Sequence, residues 1–143
     1  MDLSRRQLLI LFAGLPWLAG CSLLKSKSGG EADDEQLGRH LISSLTDLPS
    51  ARIIGRSYYE SLKQQPDRPK VVQVLAERLS GNKESVIKLD REALRRQIHS
   101  QYREEYLAGQ TVELQGWLLA RTEVELCLLV VLLRDSLPVH SEG

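Results

Sequence analysis

The sequence predicts a mainly α-helical fold: a small bundle of about five helices with one short β-hairpin before a central apolar C-terminal helix. Three observations predict it. Apolar residues recur at helical spacing in four separate segments, each bounded by capping or breaking residues. The period changes to two in one stretch, 111–119, around Gln115-Gly116. An unbroken apolar run, Leu126 to Leu133, then covers every face of a helix.

The first helix is expected over 36–46, where Leu37, Leu41, Ile42 and Leu45 share a face. Asp47-Leu48-Pro49-Ser50 reads as a stop followed by a new start, with proline suited to the first helical turn. The second helix, 51–65, carries Ile54, Tyr58 and Leu62 at four-residue spacing, and Pro66 and Pro69 close it. A shorter third helix is expected over 71–79, with Gly81 just past its end. Asp90 is a good N-cap for a fourth helix, 91–108, ended by Gly109. Its apolar stripe is Leu94, Ile98 and Tyr102, with Glu92, Arg95, Arg96 and Arg103 outside it. Strand, glycine-containing turn and strand follow over 111–119. Thr122 and Glu125 have capping-box spacing and open the last helix, 123–134. That helix falls well short of the ~20 apolar residues a membrane span needs, and Glu125 and Arg134 bracket its apolar run, so burial in protein is expected.

Composition excludes several function classes. The 143 residues carry no formal net charge, which argues against a nucleic-acid partner. His40, His99 and His140 lie far apart, with no ligand spacing for a metal. There is no glycine-rich phosphate loop and no Gly-x-Ser-x-Gly nucleophile motif. Glu104 and Glu105 are adjacent on a helix, point in different directions and form no catalytic dyad. Cys127 sits in the apolar helix as a small hydrophobe. No catalytic residue, metal or cofactor is therefore expected in this chain, and it is not expected to be an enzyme by itself.

The N-terminus reads as an address. Arg5 and Arg6 precede an uncharged run from Leu8 to Gly20 that is too short to span a bilayer. The arginine pair, with Ser4 before it and apolar residues after it, resembles a twin-arginine (Tat) export signal, although Ile10 stands where a lysine often follows; the general secretory route is the alternative. Leu18-Ala19-Gly20-Cys21 resembles a bacterial lipobox, which implies cleavage between Gly20 and Cys21 and acyl chains such as palmitate on the Cys21 thiol. Each buried methylene would add about 0.8 kcal/mol of membrane affinity, so several chains anchor stably. The implied location is the cell envelope, as a periplasm-facing lipoprotein. Ser22, where an aspartate would often retain a lipoprotein at the inner membrane, favours the outer membrane.

The expected organisation is a cleaved signal peptide over 1–20, a lipidated cysteine with a flexible polar tether over 21–35, a helical domain over 36–138 and a tail over 139–143. After cleavage, 17 basic and 18 acidic side chains remain, too even a balance to steer the domain toward a polyanion.

Two aromatic positions bear on partners. Trp117 follows Gly116 in the hairpin and is expected to cap the hydrophobic core; the alternative is an exposed anchor for a partner, with Tyr59 as a second contact. Core packing is the expected role of Tyr58 and Tyr102. Residues 51–55 with Tyr58, and Gly116-Trp117-Leu118-Leu119-Ala120-Arg121-Thr122-Glu123, resemble segments of small Tat-exported subunits of membrane-bound flavin dehydrogenases, of the gluconate and sorbitol dehydrogenase small-subunit type. The resemblance spans about 48–135. It implies a helical, non-catalytic partner of a large flavoprotein dehydrogenase subunit, exported with it by the Tat machinery. No Cys-x-x-Cys-His is present to attach a c-type haem. The expected function is thus a lipid-anchored accessory or escort subunit of an exported oxidoreductase. The alternative is a structural or envelope-stress lipoprotein with no redox partner. A small hydrolase or binding protein is a third reading, weakened by the missing nucleophile and metal constellation.

Overall fold

The computed structural model describes residues 27–134. Six helices and one hairpin make up these residues: α1 (Lys27–Ile42), α2 (Leu48–Ser61), α3 (Arg68–Ser80), α4 (Lys83–Ile87), α5 (Arg91–Ala108), β1 (Thr111–Leu114), β2 (Trp117–Ala120) and α6 (Arg121–Arg134). The chain divides into a unit ending at Asp33, of which only the opening of α1 is described, and a compact unit from Asp34 onward. A mainly helical bundle with one hairpin before a central apolar last helix is what the sequence predicts, with one helix more than expected.

Helix α1 begins within the segment read as a tether. Residues from Lys27 are helical, and the (i, i+4) pair Glu35–Arg39, at 2.7 Å, supports the turn that leads into the buried Leu37 and Leu41. The helix also stops earlier than expected, at Ile42. The hydroxyls of Ser43 and Ser44 donate back to the carbonyls of His40 and Leu41, and the chain turns. Asp47 then caps α2, accepting from the Ser50 N–H at 3.1 Å and from its hydroxyl at 2.5 Å.

Helix α2 turns the expected face inward, but its large apolar residues are not the ones buried deepest. Ile54, Tyr58 and Leu62 are only half-buried, whereas Ala51 and Gly55 are buried. A Cβ on Gly55 would lie 2.0 Å from the carbonyl oxygen of Cys127 and 2.5 Å from its carbon. The two backbones meet there, so the small residues of that face set how closely α2 approaches α6. The helix ends at Ser61, short of the expected 65, as Leu62 turns extended.

Helix α3 starts three residues before the expected Val71, with Pro69 accommodated in its first turn, and Gly81 closes it at φ 81°. Helix α4 is a single turn capped by Asn82, whose side chain accepts from the Ser85 N–H. Five residues are too few for a periodicity, so no sequence pattern announces α4. Helix α5 matches its expected bounds. The Asp90 side chain accepts from the Ala93 N–H at 2.7 Å, and Gly109 ends the helix at φ 68°.

The hairpin pairs Thr111 with Ala120 through to Leu114 with Trp117. Gln115 and Gly116 both take positive φ, 52° and 83°, the requirement of a two-residue turn whose twist suits the strands. Helix α6 follows β2 directly and runs through the middle of the domain, touching α2, α3, α5 and both strands. Its Leu126, Leu129 and Leu133 join Leu37, Leu41, Val72, Leu75, Leu79, Leu94 and Ile98 in the main core. On another side, Cys127 and Val130 pack with Ala51. The all-round apolar run is thus a buried centre, and no described helix is long and apolar enough to cross a membrane.

Candidate interaction site

The first turn of α6 sets the position of the hairpin, and it is not capped as the sequence predicts. The helix begins at Arg121, not Glu123, and Glu125 does not complete a capping box with Thr122. Instead the Glu123 carboxylate reaches back to the Ala120 N–H at 3.3 Å. The side-chain acceptor that an N-cap residue normally supplies comes from another helix. Glu105 of α5 accepts from the Thr122 N–H at 2.8 Å and from the Thr122 hydroxyl at 2.6 Å. Glu105 is 1% exposed. A buried carboxylate needs partners, and it has them. Gln101 donates to it at 3.2 Å, and the Arg78 guanidinium lies 3.7 Å away. Arg78 also binds Glu125, at 2.5 Å, and donates to the Thr122 hydroxyl at 3.0 Å. Glu125 pairs in addition with Arg121 at 3.3 Å. Six side chains from α3, α5 and α6 thereby tie the start of the central helix to its neighbours.

From the sequence, Glu104 and Glu105 are only an adjacent pair that points in different directions and forms no catalytic dyad. Glu105 lies eleven residues after Leu94, on the same stripe as Ile98 and Tyr102. A charged residue on an apolar stripe is the signal that could have identified it. Arg78 and Gly55 carry no comparable signal.

From this anchored base the hairpin projects Trp117. The Tyr106 hydroxyl sits 3.3 Å from the Leu118 carbonyl and 3.2 Å from Glu123, and the Arg121 N–H donates to the Gln110 carbonyl at 3.2 Å. At the turn, Gln115 donates to the Ser57 hydroxyl of α2 at 2.7 Å. Trp117 does not cap the core, as expected from its place beside two leucines. It is 72% exposed, because the two-residue turn and the register put it at the strand's free end, four residues before the buried α6. It lines a groove of about 290 Å³ with Ile53, Ile54, Ser57, Leu114, Gln115 and Leu119. Ile53 is equally exposed. A large aromatic held on a braced hairpin beside an aliphatic groove is the chemistry of an interface anchor.

Tyr59 does not join this groove. It is half-buried and lines a separate hollow with Arg52, Arg56, Glu60, Val131 and Arg134. Tyr102 packs against the main core, as expected, with its ring edge-on to that of His99 at 5.9 Å. Tyr58 is half-buried and lines a cleft with Arg121 and Glu125, outside the core clusters. Cys127 is buried, and burial first, then Glu123, pushes its thiol up to about 12, which leaves it unreactive at neutral pH. Among the described residues no group of three or more His, Cys, Asp or Glu could hold a metal ion. Arg5, Arg6, Gly20 and Cys21, which carry the export and lipidation signals, lie outside the described residues, as do His140 and the tail.

No protein-family model, curated protein or solved structure matches the chain at a significant level.

Proposed function

We propose that this chain is a lipid-anchored, non-catalytic accessory subunit. Cys21 holds it at an envelope membrane, and the hairpin presents Trp117 and the Ile53 groove to a protein partner. The observation that carries the reading is the exposure of Trp117 on a hairpin braced at both ends, by Tyr106 near its base and by Gln115 at its turn. A tryptophan kept in water in this way adds nothing to the core, and tryptophan is the residue most enriched at binding hot spots. The class of partner is an exported oxidoreductase, a flavin dehydrogenase in particular, and follows from the twin-arginine and small-subunit resemblances.

The experiment is a mild-detergent purification of the C-terminally tagged chain, read by mass spectrometry and visible absorption, beside the same preparation of Trp117→Ala. The expected result is one large co-purifying protein with flavin bands near ~375 and ~450 nm, lost or strongly reduced in the variant. A colourless preparation of the chain alone would overturn the subunit reading and leave a structural lipoprotein. A retained partner in the variant would overturn the role of Trp117.

A further inference from the structure

The hollow that holds Tyr59 lies on another side of α2 from the Trp117 groove, against the end of α6. Its volume is about 290 Å³. At ~30 Å³ for each water-sized group, it has room for roughly ten non-hydrogen atoms. Arg52, Arg56 and Tyr59 stand at i, i+4 and i+7 on α2 and so share one side of that helix. Glu60 from α2, with Val131 and Arg134 from the last turn of α6, completes the lining.

The charges around this hollow are uneven. Three guanidiniums, each a cation at any ordinary pH, stand against the single carboxylate of Glu60. Glu60 does not quench them. It lies 3.7 Å from Arg56, beyond hydrogen-bond reach, and the two side chains are 69% and 78% exposed, so water screens the pair. Arg52 and Arg134 make no ion pair among the described residues, and the buried Nε of Arg52 has no hydrogen-bond acceptor there. Buried N–H groups in folded proteins are nearly always paired, so this donor calls for a partner. The C-terminal end of α6 brings roughly half a negative charge of helix dipole, which leaves a positive surplus of about one and a half.

We propose that this hollow binds a phosphomonoester group, its oxygens on the guanidiniums of Arg52, Arg56 and Arg134 and its short ester arm against Tyr59 and Val131. Near neutral pH such a group carries about −1.5 to −2 charges, which matches the surplus. Its three free oxygens point in different directions, so donors from two helices can share them, and the planar guanidinium fork fits phosphate oxygens in pairs. A carboxylate offers one charge and two oxygens in one plane, and would leave part of the donor set unanswered. The same group is carried by soluble esters and by lipid headgroups, and the hollow has room for the phosphate with a short arm of either.

The test uses the isotope-labelled full chain in non-ionic detergent at low ionic strength, with glycerol 3-phosphate as the soluble probe and succinate as a dianion without phosphorus. A parallel series dopes the micelles with phosphatidic acid, or with phosphatidylcholine as the control. Glycerol 3-phosphate is expected to shift the amide resonances of Arg52, Arg56 and Arg134 saturably, with a dissociation constant on the order of 1 mM, as befits about ten atoms. Succinate should bind at least about tenfold more weakly, and Arg134→Ala should lose a similar factor for the phosphate ester. Glu60→Gln, which removes the one carboxylate, should tighten binding severalfold. Arg134 and Glu60 are both exposed, so these two variants should melt like the parent. Saturation by glycerol 3-phosphate would support a soluble ester as the ligand, and a response to phosphatidic acid alone would support a lipid headgroup. Failure of both to give saturable shifts, equal binding of succinate, parent-like binding by Arg134→Ala, or weaker binding by Glu60→Gln would each overturn the proposal.

Discussion

Helix α6 is gripped in two places by opposite means. Along its middle, the backbone of Cys127 meets Gly55 of α2 with no side chain between them, and the neighbours Ala51 and Val130 are small or aliphatic. At its first turn, Arg78, Glu105, Glu125 and Thr122 make a buried polar network with every strong group paired. The two contacts should fail differently. The first has no room and is broken by adding atoms. The second has no spare partners and is broken by removing one.

The largest effect is therefore expected from Gly55→Val. Its Cβ alone would overlap the Cys127 carbonyl, and two more methyls would force the helices apart. The cost should exceed about 4 kcal/mol, in the exceptional range for a single substitution. Thermal denaturation by circular dichroism would read it as loss of the cooperative transition or a fall of more than ~15 °C. A parent-like melt would show that α2 and α6 do not touch at Gly55.

Glu105→Ala comes next. It strips an acceptor from the Thr122 N–H and from Gln101, while Arg78 keeps Glu125. A loss of about 2–3 kcal/mol in urea unfolding is expected, with Thr122→Val costing ~1 kcal/mol. The double variant should lose clearly less than the sum of the two, because both act on one bond. Strict additivity would dissolve the network into independent contacts.

The dependence on pH separates the two grips further. Burial lifts the Cys127 thiol from about 9 to about 12 in the folded chain. Its proton is held in the fold and released in the unfolded chain, so its contribution is complete below pH ~9 and is lost as pH rises toward ~12. Stability measured across that window should fall, and the fall should lessen in Cys127→Ala. The Tyr102 phenol, also raised, acts in the same direction and should leave the remainder.

The smallest effect on stability is expected at Trp117. Replacing this exposed side chain by alanine should change unfolding by less than ~0.5 kcal/mol while abolishing partner capture. A large loss of stability would mean that the indole supports the fold, contrary to its place in water.

Much of the architecture was legible before any coordinates. The α5 helix follows its caps, Asp90 and Gly109, to the residue. The Gln115-Gly116 turn and the all-apolar last helix behave as their patterns predict. These signals are local: a cap, a two-residue turn or an apolar run is complete within a few neighbouring positions. Less legible were the opening of α1, whose polar sequence reads as a tether, and the single turn α4, which is too short for a period. The candidate site was legible only as residues of interest. Trp117 stood out as a tryptophan beside a turn glycine, but its exposure depends on where the hairpin lies against α2.

The sequence by itself determined the helical class, most of the caps, the hairpin and the central place of the last helix, because each follows from propensity and patterning among adjacent residues. Only the tertiary structure decided that Gly55 is a contact, that Glu105 caps a helix 17 positions away and that Arg78 reaches Glu125 across 47. Burial and pairing of this kind are properties of surfaces brought together on folding, and no single segment of the chain contains them.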